Sequence, residues 1–427
     1  MGFKKLQSYI ERLLNQPVVK TIIESTVVRG IGLSVAFFGQ VYLARRLGPE
    51  IRGTYSAIVA LVAIGAQVLS FGLQNTNTYV IAKDLSKFNR LFSLNIGFLL
   101  VLTLGGTVIA YPLWRYLSFP VENAGFSTSI YTLLLIIATI AFWLMGQLLL
   151  GLSQFRDFNL FELISKFVTV IAVCFLGFSG LLSLNSALLS SLLGLAIGGV
   201  FFAYSALKRM PTKFEFHFDL SFIFDQIGYS GRVYLSMIAT LLLVKIDILI
   251  IERMLGGFSA GIYSVASSLC DLLLVLPSLI AAILFPKIRD SKTTEEAFQK
   301  VIKALRYYLV PLLLGITVFF FISGEIVRML YGEDYAAAAA PMRILTWAAF
   351  FMSINNYFSV YLSCVGSPWS YVFTGFAISL LNLILNIYVA ERWGIVGVAF
   401  VSLVTYFMAT AINFFNSYRI SLKKAAL

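Results

Sequence analysis

The sequence predicts an all-α integral membrane protein with twelve transmembrane helices. Of its 427 residues, 59% are hydrophobic and 12% are charged, and the mean hydropathy is +0.89. Soluble globular proteins are about 45–50% apolar and about 25% charged. The apolar residues form continuous runs of about 20 residues, which is the length that a helix needs to cross a hydrocarbon core of about 30 Å. Short alternating strands, which are typical of membrane β-barrels, are not the pattern here.

An internal repeat predicts that the two halves of the chain share one plan. The stretch Leu47–Ser56 reads L-G-P-E-I-R-G-T-Y-S, and Leu255–Ser264 reads L-G-G-F-S-A-G-I-Y-S. Each copy ends one apolar run and begins the next. Glycine suits a tight turn between helices because it tolerates positive φ and close backbone approach, and the turn glycines are Gly48, Gly53, Gly256 and Gly261. A matched unit in both halves indicates a pseudo-two-fold repeat, the plan of many transporters.

The twelve predicted spans follow from the positions of the apolar runs. The division between spans 5 and 6 depends on Gly177, Gly180 and Asn185, and the division between spans 11 and 12 on Glu391, Arg392 and Gly394. The spans lie near 22–44, 55–76, 92–114, 129–151, 158–179, 184–207, 229–252, 259–285, 303–324, 342–364, 370–390 and 394–417.

Basic residues between the spans predict the orientation and the domain plan. With a cytoplasmic N-terminus, 21 of the 32 lysines and arginines lie inside and 8 outside, which favours two cytoplasmic termini by the positive-inside rule. We therefore predict a multi-pass protein of the cell (inner or cytoplasmic) membrane. Its predicted parts are a cytoplasmic surface segment (1–21), an N-terminal six-helix lobe (22–207), a cytoplasmic linker (208–228), and a C-terminal six-helix lobe with a short tail (229–427). The stretch Lys287–Arg306 predicts a capped helix along the membrane surface, or a solvated loop.

The sequence contains no recognisable catalytic set, and we expect no enzyme activity and no cofactor. A phosphate-binding loop with Lys-Ser/Thr is missing, and the single histidine, His217, cannot form a Ser/His/Asp triad. The cysteines Cys174, Cys270 and Cys364 are scattered and have no metal-binding spacing. The net charge of +12 does not indicate nucleic acid, because the basic residues lie mostly between apolar runs.

Charged residues inside spans are the candidate functional residues, because a charge in the bilayer usually faces a wet cavity or a partner. Arg29 lies near the midplane of span 1, Lys245 and Asp247 lie in span 7, and Asp271 lies in span 8. Arginine and lysine that face a cavity would favour an anionic solute. For each residue a structural role is the alternative. Arg29 could reach Glu24, and Asp247 and Asp271 could hold helix contacts.

Other polar residues within spans admit the same two interpretations. Glu162 and Lys166 are four residues apart on span 5 and predict a self-satisfied structural pair. Amides could bind sugar hydroxyls or hold helices together in lipid. Gln67 and Gln74 lie in the polar end of span 2, together with Asn75, Thr76, Asn77 and Thr78. For Asn355, Asn356, Asn382 and Asn386 we favour helix–helix contacts.

Several motifs together resemble the polysaccharide transporter family. In the first half they are L-A-R-R-L-G-P-E-I-R-G-T-Y-S and F-G-L-Q-N-T-N-T-Y-V-I-A-K-D (Phe71–Asp84). In the second half they are L-L-V-K-I-D-I-L-I-I-E-R-M-L-G-G-F-S-A-G-I-Y-S-V-A (Leu242–Ala266) and P-S-L-I-A-A-I-L-F-P-K-I (Pro277–Ile288). G-L-S-Q-F-R (Gly151–Arg156) and W-G-I-V-G-V-A (Trp393–Ala399) also fit. The chain is similar to O-antigen-flippase-like members of the multidrug/oligosaccharidyl-lipid/polysaccharide (MOP) exporter superfamily.

The resemblance implies a function as well as a MATE-like MOP fold. It implies two six-helix lobes around a cavity lined largely by spans 1, 2, 7 and 8, and alternating access that flips a polyprenyl-pyrophosphate-linked oligosaccharide to the outer leaflet. The candidate substrate-binding residues are Arg29, Lys245, Asp247, Asp271, Gln67 and Gln74. The expected partners are this substrate, membrane lipids and enzymes of the polysaccharide pathway. Coupling to H+ or Na+ through Asp247 or Asp271 is a further expectation.

Three alternatives remain open. A cation-coupled multidrug exporter of the same superfamily would carry acidic residues in the first lobe, whereas span 1 offers Glu24 near its inner end and then Arg29. A lipid II flippase usually has more spans and a more arginine-rich first span. A membrane polymerase or ligase is expected to have a large charged outer loop, and none is predicted here.

Overall fold

The fold consists of long helices. The computed structural model describes residues 17–117, 125–210 and 220–423, and all regular structure within these ranges is helical. Two short 3-10 segments also occur, at Leu85–Lys87 and Glu333–Ala338. In chain order the helices are α1 (Pro17–Leu69), α2 (Leu73–Lys83), α3 (Phe88–Leu117), α4 (Phe126–Gly151), α5 (Phe155–Phe178), α6 (Leu184–Lys208), α7 (Leu220–Leu273), α8 (Val275–Arg289), α9 (Thr294–Tyr331), α10 (Ala339–Cys364) and α11 (Trp369–Ser421).

Nine helical segments of the described ranges are long and apolar enough to cross a membrane. Three of these segments contain a residue with non-helical dihedral angles, at Gly48, Gly256 and Gly394. The same three are the longest, with 44, 59 and 53 residues, and at 1.5 Å per residue each exceeds twice the thickness of a hydrocarbon core. The total of twelve crossings stays a prediction.

The two copies of the repeated turn have the same backbone conformation. Gly48 has φ 74° and ψ 169°, and Gly256 has φ 80° and ψ 172°. Residues other than glycine rarely adopt this backbone conformation, so both positions require glycine. In the first copy Pro49 follows at once, where its fixed φ suits the start of a helix and its missing N–H costs nothing. The repeat seen in the sequence is therefore also a repeat of structure.

The second pair of repeat glycines allows the two turn copies to touch. A Cβ atom placed on Gly53 would lie 1.9 Å from the carbonyl oxygen of Gly257, and one on Gly261 would lie 1.8 Å from that of Pro49. Across the same contact, the hydroxyl of Thr54 donates to Oε1 of Glu252 at 2.9 Å. The turn motif therefore serves close packing as well as chain direction.

Spans 2 and 8 differ from their predicted extents. The predicted span 55–76 is interrupted after Leu69, where Phe71 and Gly72 have φ values of 48° and 75°, so Gln74 lies on the separate helix α2. The predicted span 259–285 is interrupted at Leu274, between α7 and α8. Apolar residues continue across the break at Leu274 and concealed it in the sequence, whereas the break at 70–72 lies where the chain becomes polar.

The predicted surface helix near Lys287–Arg306 exists only in part. Thr293 caps α9 by accepting from the N–H of Glu296 at 3.2 Å, and Oε2 of Glu296 accepts from the N–H of Lys292 at 2.9 Å. The cap is the predicted one. However, the helix that it begins runs unbroken to Tyr331, so the prediction of a separate surface helix is wrong.

The predicted surface segment 1–21 lies largely outside the described residues, as does His217. Residues 211–219 of the linker 208–228 are also outside them, and α7 begins at Leu220.

Contacts between Cα atoms divide the chain into two compact units. Unit 1 contains Met1–Arg46, Leu69–Trp114 and Gly125–Tyr229, and unit 2 contains Leu47–Val68, Arg115–Ala124 and Ser230–Leu427. This division differs from the two lobes predicted from the order of the spans, because Leu47–Val68 groups with the second half. Both copies of the repeated turn therefore belong to unit 2, and the lobes stay a prediction.

Candidate functional site

Arg29 lies on α1 of unit 1 and is held by an amide. Its Nε donates to Oδ1 of Asn159 on α5 at 3.1 Å. Asn159 is 4% exposed, whereas Arg29 is exposed. The sequence suggested Glu24 as a local partner, and the contact is instead with a residue far along the chain. A buried amide that fixes one nitrogen leaves the guanidinium oriented and accessible.

A second ionic group lies at the junction of α1 and α5. Nζ of Lys166 donates to Oε1 of Glu162 at 2.7 Å, which confirms the predicted pair. A Cβ atom on Gly32 would lie 3.5 Å from the same Nζ, so the pair packs against α1 within one turn of Arg29. We call Arg29, Glu162 and Lys166 the α1–α5 cluster. Because Glu162 offsets Lys166, the cluster has a net charge of +1 when ionised.

In unit 2, Lys245 and Asp271 form an ion pair. Nζ of Lys245 lies 3.4 Å from Oδ2 of Asp271, and the two side chains are 34% and 43% exposed. Asp247 is two residues from Lys245 on α7. The structure directs the lysine to Asp271 instead, so its positive charge is already offset.

Asp247 is buried and has two neutral hydrogen-bond donors. The residue is 3% exposed. Its Oδ2 accepts from the hydroxyl of Tyr263 at 2.8 Å and from the hydroxyl of Ser402, on α11, at 2.7 Å. Tyr263 was noted in the sequence only as part of the repeated turn. Ser402 was missed, because a serine in an apolar helix has no distinguishing pattern. We call Lys245, Asp247 and Asp271, with these two donors, the Asp247 cluster.

A very small cavity adjoins the Asp247 cluster. Its volume is about 20 Å³, and Asp247, Tyr263, Asp271 and Tyr406 contribute to its lining. A cavity of this size holds about one water molecule, so it is too small for a sugar ring. A far larger groove of about 810 Å³ lies between α1 and α5. Its lining is apolar apart from Ser34 and Cys174, so it offers little for the recognition of a polar solute.

The amide side chains mostly serve helix packing. Gln67 and Gln74 are both buried, and they belong to different compact units. Nδ2 of Asn382 donates to Oγ1 of Thr405 at 3.1 Å, and Nδ2 of Asn386 donates to Oδ1 of Asn382 at 3.0 Å. Asn355 likewise accepts from Nδ2 of Asn413 at 2.9 Å. The bonds of Asn355 and Asn382 confirm the predicted helix–helix contacts for these two residues, whereas the bond of Asn386 joins residues of one helical segment.

The two clusters offer different chemistry. An exposed guanidinium with net positive surroundings can bind phosphate oxygens through charge-assisted hydrogen bonds. The Asp247 cluster, with one lysine and two aspartates, has a net charge of −1 when ionised and can accept a small cation. Within the described residues, no group of three or more His, Cys, Asp or Glu side chains is arranged to hold a metal ion.

Comparison with known sequences places this chain among polysaccharide biosynthesis proteins. The family described as "Polysaccharide biosynthesis protein" matches residues 18–292. The succinoglycan biosynthesis transport protein ExoT of Rhizobium meliloti is 26% identical over 366 residues, which cover 81% of this chain and 71% of ExoT. The probable low-salt glycan biosynthesis flippase Agl15 of Haloferax volcanii is 23% identical over 408 residues, covering 93% of this chain and 82% of Agl15.

Comparison with solved structures supports the fold. The lipid II flippase MurJ in an inward closed conformation is similar with a TM-score of 0.76 and 17% identity, covering 94% of this chain and 90% of that one. An inward-facing MATE family transporter of the MOP superfamily has a TM-score of 0.73 and 13% identity, covering 93% and 98%. At these identities the likeness concerns the fold alone, which is the MATE-like fold that the sequence motifs implied.

Proposed function

Because the chain belongs to the polysaccharide biosynthesis protein family, we propose that it is a flippase for surface polysaccharide biosynthesis. The proposed substrate is a polyprenyl-pyrophosphate-linked oligosaccharide, moved from the cytoplasmic to the outer leaflet by alternating access. Relatives named as a transport protein and a flippase support a transporter rather than an enzyme. Twelve crossings, two cytoplasmic termini and an inner-membrane location are parts of this proposal, as are contacts with pathway enzymes.

The observation that carries the proposal is the exposed guanidinium of Arg29 inside an apolar helix. A charged group within a membrane helix costs several kcal/mol unless it meets water or a partner. Asn159 occupies Nε of Arg29, and the net positive charge of the α1–α5 cluster favours an anion. The pyrophosphate is the charged part of the proposed substrate, and a guanidinium matches its oxygens.

Lys245 has a smaller role in this proposal. Its ammonium is offset by Asp271 at 3.4 Å, so it attracts an anion less than Arg29 does. We expect loss of Arg29 to impair transport more than loss of Lys245. Coupling of transport to H+ or Na+ through Asp247 or Asp271 belongs to the proposal as well.

The second candidate function is a cation-coupled multidrug exporter. The MATE-like fold favours it, because that fold also carries drug export. The net positive charge of the α1–α5 cluster opposes it, since an organic cation would be repelled there. A lipid II flippase is a third candidate and rests on the fold likeness to MurJ.

The function is tested by lipid flipping in proteoliposomes. Purified protein is reconstituted with a fluorescent polyprenyl-pyrophosphate oligosaccharide, and exposure of the label on the far leaflet is followed over time. We expect protein-dependent exposure, and a decrease of roughly 10-fold or more in Arg29→Ala, because a hydrogen bond to a charged group contributes about 1.5–3 kcal/mol. The flipping rate of Arg29→Lys should lie between those of the wild type and Arg29→Ala, because lysine keeps the charge and loses the bidentate geometry.

Arg328→Ala is the matched control. Arg328 pairs with Glu333 at 3.5 Å, and both side chains are well exposed, so transport should be unchanged. Normal transport by Arg29→Ala at normal membrane levels would show that Arg29 does not bind the substrate. Movement of a cationic dye, without movement of the lipid-linked oligosaccharide, would replace the flippase with a drug exporter.

A further inference from the structure

We propose that the groove between α1 and α5 binds one anionic phospholipid, with an acyl chain between the two helices and the phosphate at Arg45 and Arg46. The groove has a volume of about 810 Å³, which is within the range of about 300–1,000 Å³ that is usual for ligand pockets. The site belongs wholly to unit 1 and shares no residue with the α1–α5 cluster. It goes beyond the proposed transport function and does not depend on it.

The α1 side of the groove is a stripe of exposed residues with helical spacing. Val27, Ile31, Ser34 and Phe38 line the groove and are all exposed. They follow one another at intervals of four, three and four residues, so they share one face of the helix. The hydroxyl of Ser34 donates to the carbonyl of Gly30 in its own helix at 3.0 Å. The stripe therefore suits a hydrocarbon chain better than a polar ligand.

The α5 side supplies a second apolar row and the floor. Phe167, Ile171 and Phe175 line the groove at intervals of four residues, and all three are exposed. Between the rows the two helices touch, because a Cβ atom on Gly39 would lie 2.5 Å from Cγ2 of Val170. Val170 also lines the groove. Two exposed rows above a closed floor form a channel that an acyl chain can occupy.

Two arginines lie at one end of this channel. Arg45 is seven residues from Phe38, which is close to two helical turns, so it continues the exposed stripe. The guanidinium of Arg46 lies 5.5 Å from the centre of the Tyr42 ring, and that ring lies 5.9 Å from the ring of Phe178 on α5. Both arginines are exposed. The Tyr42 ring therefore connects Arg46 to the α5 side of the groove.

The segments that form the groove carry no acidic residue to offset these arginines. None occurs from Val27 to Leu47 or from Phe167 to Lys208. The next one along the chain after Arg46 is Glu50, which lies beyond the non-helical residue Gly48. A guanidinium binds phosphate oxygens through paired, charge-assisted hydrogen bonds. An apolar channel with two cations at one end thus matches the chain and the phosphate of an anionic lipid.

The length of the channel fits a phospholipid. One leaflet contributes about 15 Å of hydrocarbon, half of a core of about 30 Å, and this depth corresponds to about ten residues of helix. An acyl chain that begins beside Tyr42, about one turn from Arg45, would reach the level of Gly32. That level lies within the groove, whose α1 lining extends from Val27 to Phe38.

The position of Arg29 separates this lipid from the proposed transport substrate. Nine residues separate Arg29 from Phe38, which is about two and a half turns, so the two side chains project from opposite faces of α1. A lipid whose diphosphate binds Arg29 therefore approaches α1 from the side that faces away from the groove. The groove is thus left to a lipid of another kind.

The site is tested by lipid binding to the purified full-length protein. Delipidated protein in detergent is titrated with phosphatidylglycerol or with zwitterionic phosphatidylcholine, and bound lipid is measured by native mass spectrometry. We expect one phosphatidylglycerol to bind roughly 10-fold more tightly than phosphatidylcholine, because hydrogen bonds to a charged group contribute a factor of this size. The double variant Arg45→Gln/Arg46→Gln should lose this preference.

Arg392→Gln is the matched control for the charges. The guanidinium of Arg392 lies 4.0 Å from the centre of the Tyr388 ring, four residues earlier, as Arg46 does with Tyr42. Because Arg392 belongs to α11 and not to the groove, this variant should keep the preference for phosphatidylglycerol.

Ser34→Phe tests whether the chain lies in the groove. The larger side chain fills the channel, and binding of phosphatidylglycerol should weaken about 10-fold, which corresponds to the loss of about two buried methylene groups. Thr317→Phe is its control, because Thr317 is exposed on α9 and donates to the carbonyl of Leu313 at 2.8 Å, the same local bond that Ser34 makes. Binding should be unchanged there.

Cys174 reports directly on occupancy, because it lines the groove. Phosphatidylglycerol should slow the alkylation of Cys174 by a maleimide, measured by peptide mass spectrometry. Alkylation of Cys364, on α10, should be unaffected and serves as the internal reference.

The outcomes also separate this site from the transport function. Equal binding of the two phospholipids by the wild type, or normal binding by Ser34→Phe, would overturn the proposal. Displacement of phosphatidylglycerol by an equal concentration of a polyprenyl phosphate that protects Cys174 would overturn it in favour of the lipid-linked substrate. Because the measurement involves no flipping, phosphatidylglycerol binding by a protein that fails to flip lipid would contradict only the proposed function. The arginine variants keep the test decisive if Ser34→Phe does not fold.

Discussion

The two copies of the repeated turn have the same backbone conformation, but their tyrosines contact groups of opposite charge. Gly48 and Gly256 have nearly equal φ and ψ, and the tyrosines Tyr55 and Tyr263 are 5% and 3% exposed. In the first copy the guanidinium of Arg52 lies 5.6 Å from the centre of the Tyr55 ring. In the second copy the hydroxyl of Tyr263 donates to Asp247. One buried tyrosine therefore accompanies a cation and the other an anion.

The difference arises from single positions rather than from a change of fold. The offset that aligns Gly48 with Gly256 also aligns Arg52 with Ala260 and Gly39 with Asp247. Arg52 of the first copy therefore corresponds to an alanine in the second, and Asp247, which precedes the second copy, corresponds to a glycine that precedes the first. The two copies therefore keep the same backbone and packing, although a cation lies beside the tyrosine of one copy and a carboxylate beside the tyrosine of the other.

The largest effect should come from breaking the contact that the two copies share. Gly53→Ala and Gly261→Ala each place a Cβ atom less than 2 Å from a backbone oxygen of the other copy. Backbone atoms cannot move aside as a flexible side chain can, so we expect destabilisation of about 3 kcal/mol or more and loss of folded protein. Thermal unfolding in detergent, followed by size-exclusion fluorescence, measures this.

Gly324→Ala is the control for that pair. Nothing lies within 4 Å of a Cβ atom built on Gly324, so this variant should unfold at the same temperature as the wild type or slightly above it. Equal stability of Gly53→Ala and Gly324→Ala would mean that the two turn copies are not in close contact.

An intermediate effect should come from the second copy, whose tyrosine contacts an anion. Tyr263→Phe removes a donor to a buried carboxylate, and we expect a loss of about 1.5–3 kcal/mol in the free energy of unfolding. In an Asp247→Asn background the same change should cost less, because a neutral amide accepts a weaker bond. A double-mutant cycle measures the difference. Additive effects would contradict a charge-assisted bond between Tyr263 and Asp247.

The smallest effect should come from the turns that follow the short helices α2 and α8. Thr293 accepts from the N–H of Glu296, and Thr293→Ala should cost about 1 kcal/mol. In the corresponding turn of the first half, Asp84 accepts from the N–H and hydroxyl of Ser86, and these bonds lower the pKa of Asp84 below 3.8.

The contribution of Asp84 should depend on pH. A lowered pKa means that its stabilisation is present at neutral pH and is lost as pH falls through the folded-state pKa. Because Asp84 is only partly buried and water screens its charge, Asp84→Asn should lower the unfolding temperature at pH 7 by less than Thr293→Ala does. The difference from the wild type should vanish under acid conditions. A difference that persists there would assign the effect to something other than the carboxylate.

The local residue pattern was sufficient to predict part of this structure. The glycines at 48 and 256 marked the helix interruptions, because few other residues tolerate positive φ. The spacing of Glu162 and Lys166 predicted their ion pair, because residues four apart share a helix face. The cap predicted within Lys287–Arg306 is also local, because Thr293 accepts from an N–H only three residues along the chain. Continuity of apolar character, by contrast, concealed the break at Leu274. The charged stretch Lys287–Arg306 suggested a separate surface helix before span 9, where the structure has one continuous helix from Thr294.

The sequence by itself determined the membrane-embedded helical class, the repeated turn and the family, because composition, periodicity and motif spacing are local properties of the chain. Only the tertiary structure decided which charges meet. Lys245 is two residues from Asp247 and pairs with Asp271. Arg29 binds Asn159 rather than Glu24, and Ser402 reaches Asp247 from another helix. Such pairings depend on which helix faces pack together, and packing is a property of the whole bundle.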